Sequence, residues 1–289
     1  GAVNVRRDHG KLIFIDIRDR TGVVQTVLRP QNANVYEAGK ELRNEWMIEM
    51  TGTVNERPAS MQNPDIETGT IELVAEELSI LSKAEELPFE PEEKLNLDTY
   101  LDHLPLTLRT PRARAIFKVQ ANSIEAFREF LRKEDFTEFQ APKIIGEDAE
   151  GGASVFEVDY FKHTAHLAQS PQFYKQIMVG VYERVFTTGN VYRAEKHSTT
   201  RHLNEYTSLD IEMGFIKDHH DVMNLTGRLM KHIISRVEDT CKKELEFFET
   251  KKVELPPSVP FMKLREAQRI IKEKYGEDCA EEPDLSPQH

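Results

Sequence analysis

The first 81 residues alternate apolar and polar side chains in short runs, and then the alternation stops. This change constrains the fold more than any other feature of the chain. "KLIFIDIRD" alternates, "VVQTVL" follows the turn residues Arg20, Thr21 and Gly22, "WMIEMTGTV" carries Gly52, and "GTIELVAEELSIL" closes the block. One short helix is expected around "NANVYEAGKELRN". Four or five short strands in so few residues predict a small five-stranded β-barrel, with a plain β-sandwich as the alternative.

Residues 82–107, "SKAEELPFEPEEKLNLDTYLDHLPLT", are rich in Glu, Asp and Pro and predict a hinge. Residues 108–289 then read as a second domain. A long amphipathic helix places Ile116, Val119, Ile124, Phe127 and Leu131 at helical spacing, and a strand "FTEFQAPKII" ends near Pro142. Further strands lie in "SVFEVDYF" and "AHLAQ", and helices start at Pro171 and run over 221–246 and 262–274. Consecutive hairpin-like strands mixed with helices predict an α+β fold, an antiparallel sheet flanked by helices.

No apolar run approaches the roughly 20 residues of a membrane span. Cys241 and Cys279 stand alone without zinc spacing, and a secretory leader is missing, so a reducing cytoplasm is expected. The formal net charge of -12 argues against bulk attraction to nucleic acid; any such contact needs a local surface. His163 with His166, and His219 with His220, lack a companion acid at ligand spacing, so no metal site is expected among them.

The densest chemistry is "RAEKHSTTRHLNEYTSLDIE", residues 193–212. Alternation puts Leu209, Ile211, Met213 and Phe215 on one face and Tyr206, Ser208, Asp210, Glu212 and Gly214 on the other. A hairpin would gather Arg193, Glu195, Asp210 and Glu212 on one surface, with Arg201 and His202 in the tip, an arrangement suited to a polyphosphate. Cross-strand salt bridges on a solvated face are the plain alternative. In "AHLAQSPQFYKQ", Ser170 and Pro171 can start a helix whose free amides and Lys175 suit a small carboxylate; a capped helix with an exposed lysine is the alternative. "EDAEGGASVF" brings Glu150 beside paired glycines, either a ligand-closing loop or a turn.

Together these segments resemble the class II aminoacyl-tRNA synthetases, and within them the aspartyl-tRNA synthetases. The helix and strand ending at Pro142 resemble the first motif, which builds the family's dimer interface. "VYRAEKHSTTRHLNEYTSLDIE" resembles the second motif, and "EGGASVF" with "LAQSPQFYKQ" the aspartate-specific segments. "RRDHGKLIFIDIRDRTGVVQTVL" and "LRNEWMIEMTGTVNERP" are similar to the oligonucleotide-binding (OB) anticodon barrel of bacterial members, while "EKHSTTRHLNEY" resembles the archaeal branch.

The resemblance implies an aspartate–tRNA ligase that uses ATP with Mg2+, acting on tRNA and L-aspartate as a cytoplasmic homodimer. Arg193 would be the catalytic residue, binding the α-phosphate and the substrate carboxylate. Arg201 and His202 would reach the terminal phosphates, Glu195 the adenine side, and Tyr206 the base. Lys175 would pair with the aspartate side chain, while Gln169, Asp210 and Glu150 would hold its ammonium. In the barrel Phe14 would stack on an anticodon base, and Gln25 and Glu72 would read base edges; a core position is the alternative for Phe14. His9 stands where members that also charge the asparagine tRNA often carry His.

Three departures accompany the resemblance. The third motif, the magnesium carboxylates and the arginine of the aspartate pocket would lie beyond His289, so the catalytic domain is expected to be incomplete and this chain alone inactive. Ala2 replaces the family's usual Trp and the preceding strand is missing, which predicts an incomplete barrel. An asparaginyl-tRNA synthetase, or a non-catalytic paralogue that binds amino acid or RNA, stays open at this stage.

Overall fold

The computed structural model describes residues 1–64, 66–89, 95–147, 154–195, 203–256 and 259–285. The chain divides into two compact units, Gly1–Asp102 and His103–His289.

The first unit is a closed five-stranded barrel of β1 (Ala2–Asp8), β2 (Ile13–Arg18), β3 (Val23–Leu28), β4 (Met47–Glu56) and β5 (Ile71–Ser82), in the order β1-β2-β3-β5-β4. Alternation explains it: Val3, Ile13, Ile15, Leu28, Ile48 and Ala75 point inward and are buried together. Helix α1 (Ala33–Glu41) seals the barrel with Val35 and Tyr36, and a Cβ at Gly39 would fall 2.1 Å from Leu28 Cδ2. Contrary to the expectation of an incomplete barrel, the pairing of Ala2 with Met47 joins β1 to β4. Buried Ala2 fits there without a large side chain, and Trp46 fills the core nearby, its indole donating to the Ala84 carbonyl at 2.9 Å. A bulge at Thr51–Gly52 lets β4 bend; a Cβ at Gly52 would stand 2.1 Å from the Val74 carbonyl oxygen. Within the acidic stretch 82–107, α2 (Leu97–Asp102) and α3 (Leu104–Thr107) form.

In the second unit, α4 (Pro111–Lys133) starts at Thr110, whose hydroxyl accepts from Ala113 N, with Pro111 at the first turn. Its C-terminal half is amphipathic as expected, with Phe127 and Leu131 buried, but Ile116 is 47% exposed and the first turns bury Ala113 and Ala115 instead. The strand expected to end near Pro142 shrinks to β6 (Thr137–Glu138), which runs parallel to β10 (Arg184–Tyr192). β10 pairs antiparallel with β11 (Glu205–Met213), so this sheet, β11-β10-β6, is mixed rather than wholly antiparallel. A second sheet is antiparallel: β7 (Ile144–Ile145), β9 (His163–Leu167) and β8 (Glu157–Tyr160), in the order β7-β9-β8. Helix α5 (Gln172–Tyr182) covers one face of β10. The helix expected over 221–246 is two, α6 (His219–Thr240) and α7 (Lys242–Phe247), broken at buried Cys241; α8 (Leu264–Tyr275) ends at Gly276, φ +74°. Among the described residues, no helix is long and apolar enough to cross a membrane.

Candidate active site

The site begins with the register of the β10–β11 hairpin. Phe186 faces Ile211, and both join Phe127, Leu131, Phe136, Leu225 and Leu229 in the core beneath the sheet. The opposite face presents the pairs Val185/Glu212, Thr187/Asp210, Gly189/Ser208 and Val191/Tyr206, because side chains alternate along each strand. The expected apolar face of β11 holds for Ile211 and Met213, but Leu209 in the middle of the strand is 38% exposed and Phe215, past its end, 91%.

Helix α5 delivers a cation to that polar face. Ser170 Oγ accepts from Gln172 N at 3.1 Å, one position before the helix cap at Pro171. Tyr174, Met178 and Val179 pack on Phe139, Ala141 and Val185, which fixes the turn that carries Lys175. Its Nζ lies 3.1 Å from Asp210 Oδ1 and 3.7 Å from Glu212 Oε2, and the residue is only 7% exposed. The alternative of an exposed lysine on a capped helix therefore does not hold. Ser208 Oγ donates a short hydrogen bond to Asp210 Oδ2, fixing that carboxylate from its other side. Gln169, just past β9, is fully buried.

Arg193 sits immediately past the end of β10, where its backbone N–H donates to Asn204 O at 2.9 Å. Its Nε is buried and meets no hydrogen-bond partner among the described residues, an orphan donor that would be costly without an anionic ligand.

A known family matches this arrangement. The family described as tRNA synthetases class II (D, K and N) matches residues 96–285, and an OB-fold nucleic acid binding domain matches residues 1–81. The chain belongs to the class II tRNA synthetases. It is 43% identical over 292 residues to the aspartate–tRNA(Asp/Asn) ligase of Deinococcus radiodurans, covering 100% of this chain and 63% of that protein. Against the aspartate–tRNA(Asp/Asn) ligase of Thermus thermophilus it is 41% identical, covering 98% and 65%. The solved asparaginyl-tRNA synthetase of Pyrococcus horikoshii complexed with asparaginyl-adenylate superposes with a TM-score of 0.85 at 31% identity, over 96% of this chain and 65% of that one. The chain thus spans slightly less than two thirds of the curated relatives' length.

Within this synthetase chain the hairpin and α5 bring together Lys175, Asp210, Glu212 and Ser208, and they place Arg193 and Tyr206 further along the same strand pair. Tyr206 is half-buried opposite Val191; Glu195 is half-buried beyond the strand, its carbonyl accepting from Asn204 Nδ2 at 3.4 Å. Glu150, Arg201 and His202 lie outside the described residues. One residue escaped the sequence reading: Lys143, one residue after Pro142, whose Nζ lies over Gly189 on the polar face. Burial pushes its ammonium below the usual lysine range, against the opposing attraction of Asp210. No motif marks it in the sequence; it lies immediately before β7 (Ile144–Ile145).

The synthetase's barrel turns a separate polar surface outward. Phe14 is half-buried and absent from the core, opposite in alternation to Ile13 and Ile15, with its ring edge-on to His9 at 5.5 Å. The core alternative for Phe14 therefore falls. Gln25 is held by Arg7 at 3.3 Å and Arg57 at 3.0 Å, and Arg7 makes a bidentate pair with Asp16 at 2.7 and 2.8 Å. Glu72 faces Asn55 across the β4–β5 ladder.

The expectation that the paired histidines lack an acid needs correcting. Asp218, His219 and His220 hold ligand atoms within 4.8 Å of one another, although all three are exposed and Asp218 already accepts from His220 N at 2.8 Å. Both cysteines are free and buried.

Proposed function

We propose that the full-length protein is an aspartate–tRNA ligase, which activates L-aspartate with ATP to aspartyl-adenylate and transfers the aspartyl group to tRNA. The observation that carries this reading is the buried Lys175 ammonium held against Asp210 and Glu212 on the polar face of the hairpin. The carboxylates outnumber the lysine, so the patch can exchange partners with a zwitterionic acid. The substrate's side-chain carboxylate takes Lys175, while its ammonium takes Asp210 with Gln169 and Glu150. A neutral amide would leave Lys175 without a counter-charge, which disfavours asparagine.

Arg193 faces the α-phosphate and the α-carboxylate that attacks it. Charge grows there in the transition state, and a fixed cation lowers the barrier without proton transfer. Glu195 and Tyr206 serve the adenine, and Arg201 with His202 the outer phosphates. Magnesium, whose ligands are expected beyond His289, would neutralise the phosphates when bound. Residues 1–81 form the anticodon-binding domain, 82–107 the hinge and 108–289 the amino-terminal part of a cytoplasmic catalytic domain. The catalytic part dimerises through the first motif; the exposed Ile116 and Phe117 on α4 support that interface. Acylation of tRNA with labelled aspartate by the full-length protein tests the reading, and asparagine as the sole substrate would overturn it.

The barrel's role has its own test. Phe14 lies on an outward strand face with Gln25 and Glu72, where stacking of an unstacked base needs no net positive charge. Phe14→Ala is expected to weaken tRNA binding by about tenfold or more while leaving amino-acid activation unchanged. Filter binding beside pyrophosphate exchange checks both halves. His9 touches the Phe14 ring, so the same surface would set tRNA choice, and charging of both the aspartate and asparagine tRNAs is the expected behaviour.

A further inference from the structure

Lys143 is the unexplained charge of the polar face. It is half-buried, and among the described residues its ammonium makes no ion pair and no hydrogen bond, although burial already disfavours its charge. Nothing in the packing requires an ammonium there, since a methionine would fill the same path with less desolvation. The position is nevertheless built to receive it. Gly189 stands beneath, and a Cβ on that residue would come within 3.2 Å of Lys143 Nζ and 3.3 Å of its Cε. The absent side chain leaves the space that the ammonium occupies. The strand pairs fix where this is: the Thr187/Asp210 row meets Lys175, the Gly189/Ser208 row meets Lys143, and Arg193 lies beyond the Val191/Tyr206 row. Successive rows on one face are about 7 Å apart, so the three cations climb the strand pair in the order Lys175, Lys143, Arg193.

We infer that Lys143 is a substrate-positioning residue whose ammonium binds the α-carboxylate of the amino-acid substrate and holds it between Lys175 and Arg193. This rests on the aspartate-activation reading. An aspartate molecule has two carboxylates separated by two carbon atoms; with the side-chain group on Lys175, the other points up the strand toward the Gly189/Ser208 row. Asp210, paired with Lys175 and also attracting Lys143, takes the substrate's ammonium, so each charge of the zwitterion meets its opposite. Lys143 directs the nucleophilic oxygen toward the phosphorus that Arg193 holds. It forms and breaks no bond itself.

The test is ATP–pyrophosphate exchange by the full-length protein carrying Lys143→Met, Gly189→Ala or both. Loss of one charge-assisted contact should raise the aspartate KM by about tenfold or more in Lys143→Met, with the ATP KM moved less than about twofold. The added methyl of Gly189→Ala pushes the flexible ammonium aside and should raise the aspartate KM by about threefold, with no further effect in the Lys143→Met background. A purely structural lysine would instead change the melting temperature and both KM values together. An unchanged aspartate KM in Lys143→Met, or additive effects in the double variant, would overturn the assignment while leaving aspartate activation standing. Failure of the unaltered full-length protein to exchange with aspartate would remove the activation reading, and this assignment with it.

Discussion

Replacing Arg193 by alanine in the full-length protein is expected to lower aspartate-dependent ATP–pyrophosphate exchange by about three orders of magnitude, with the melting temperature nearly unchanged. Arg193 stands immediately past β10, its backbone N–H donating to Asn204 O, and the buried Nε of its guanidinium meets no partner among the described residues. An orphan donor of this kind contributes little to the folded state, and its removal relieves a desolvation cost. In the proposed reaction its value would appear when the α-phosphate gains charge during attack. A variant that keeps exchange within about tenfold of the parent would show that Arg193 is not the α-phosphate ligand, and would favour a non-catalytic amino-acid-binding paralogue.

Lys175→Met is expected to act on stability and specificity together. It leaves Asp210 and Glu212 facing one another, 16% and 29% exposed, without the ammonium between them. Breaking a fully buried pair costs about 3–5 kcal/mol, and partial exposure of Glu212 brings the expectation here to about 2–3 kcal/mol. The aspartate KM should rise about a hundredfold, because the substrate carboxylate loses its counter-charge. The double variant Lys175→Met/Asp210→Asn separates the effects: chemical denaturation should show recovered stability, while the aspartate KM stays high. Recovery of both would mean that Lys175 serves the fold alone.

Much of the architecture was legible because a period of two is hard to disguise. Ile13, Ile15 and the other inward residues of the barrel announce it, as does Ile211 beside Asp210 in β11. The misreadings have particular causes. Ile116 sits at helical spacing with the buried Phe127 but faces outward, because spacing gives a helical stripe and not what covers it. The break between α6 and α7 falls at Cys241, with no proline or glycine to mark it. Barrel closure through Ala2 depends on the room that neighbouring side chains leave rather than on a motif. Lys175 was expected in the site from its helix start, yet its burial depends on Asp210 thirty-five residues away. Lys143 was invisible for a similar reason: its place is defined by the side chain that Gly189 lacks, forty-six positions later in the chain.

ATP–pyrophosphate exchange by the full-length protein, run in parallel with aspartate and with asparagine, tests the central reading most directly. Exchange with aspartate and none with asparagine is expected, because a buried lysine selects the carboxylate over the amide. Asparagine-driven exchange, or none with either amino acid, would contradict it.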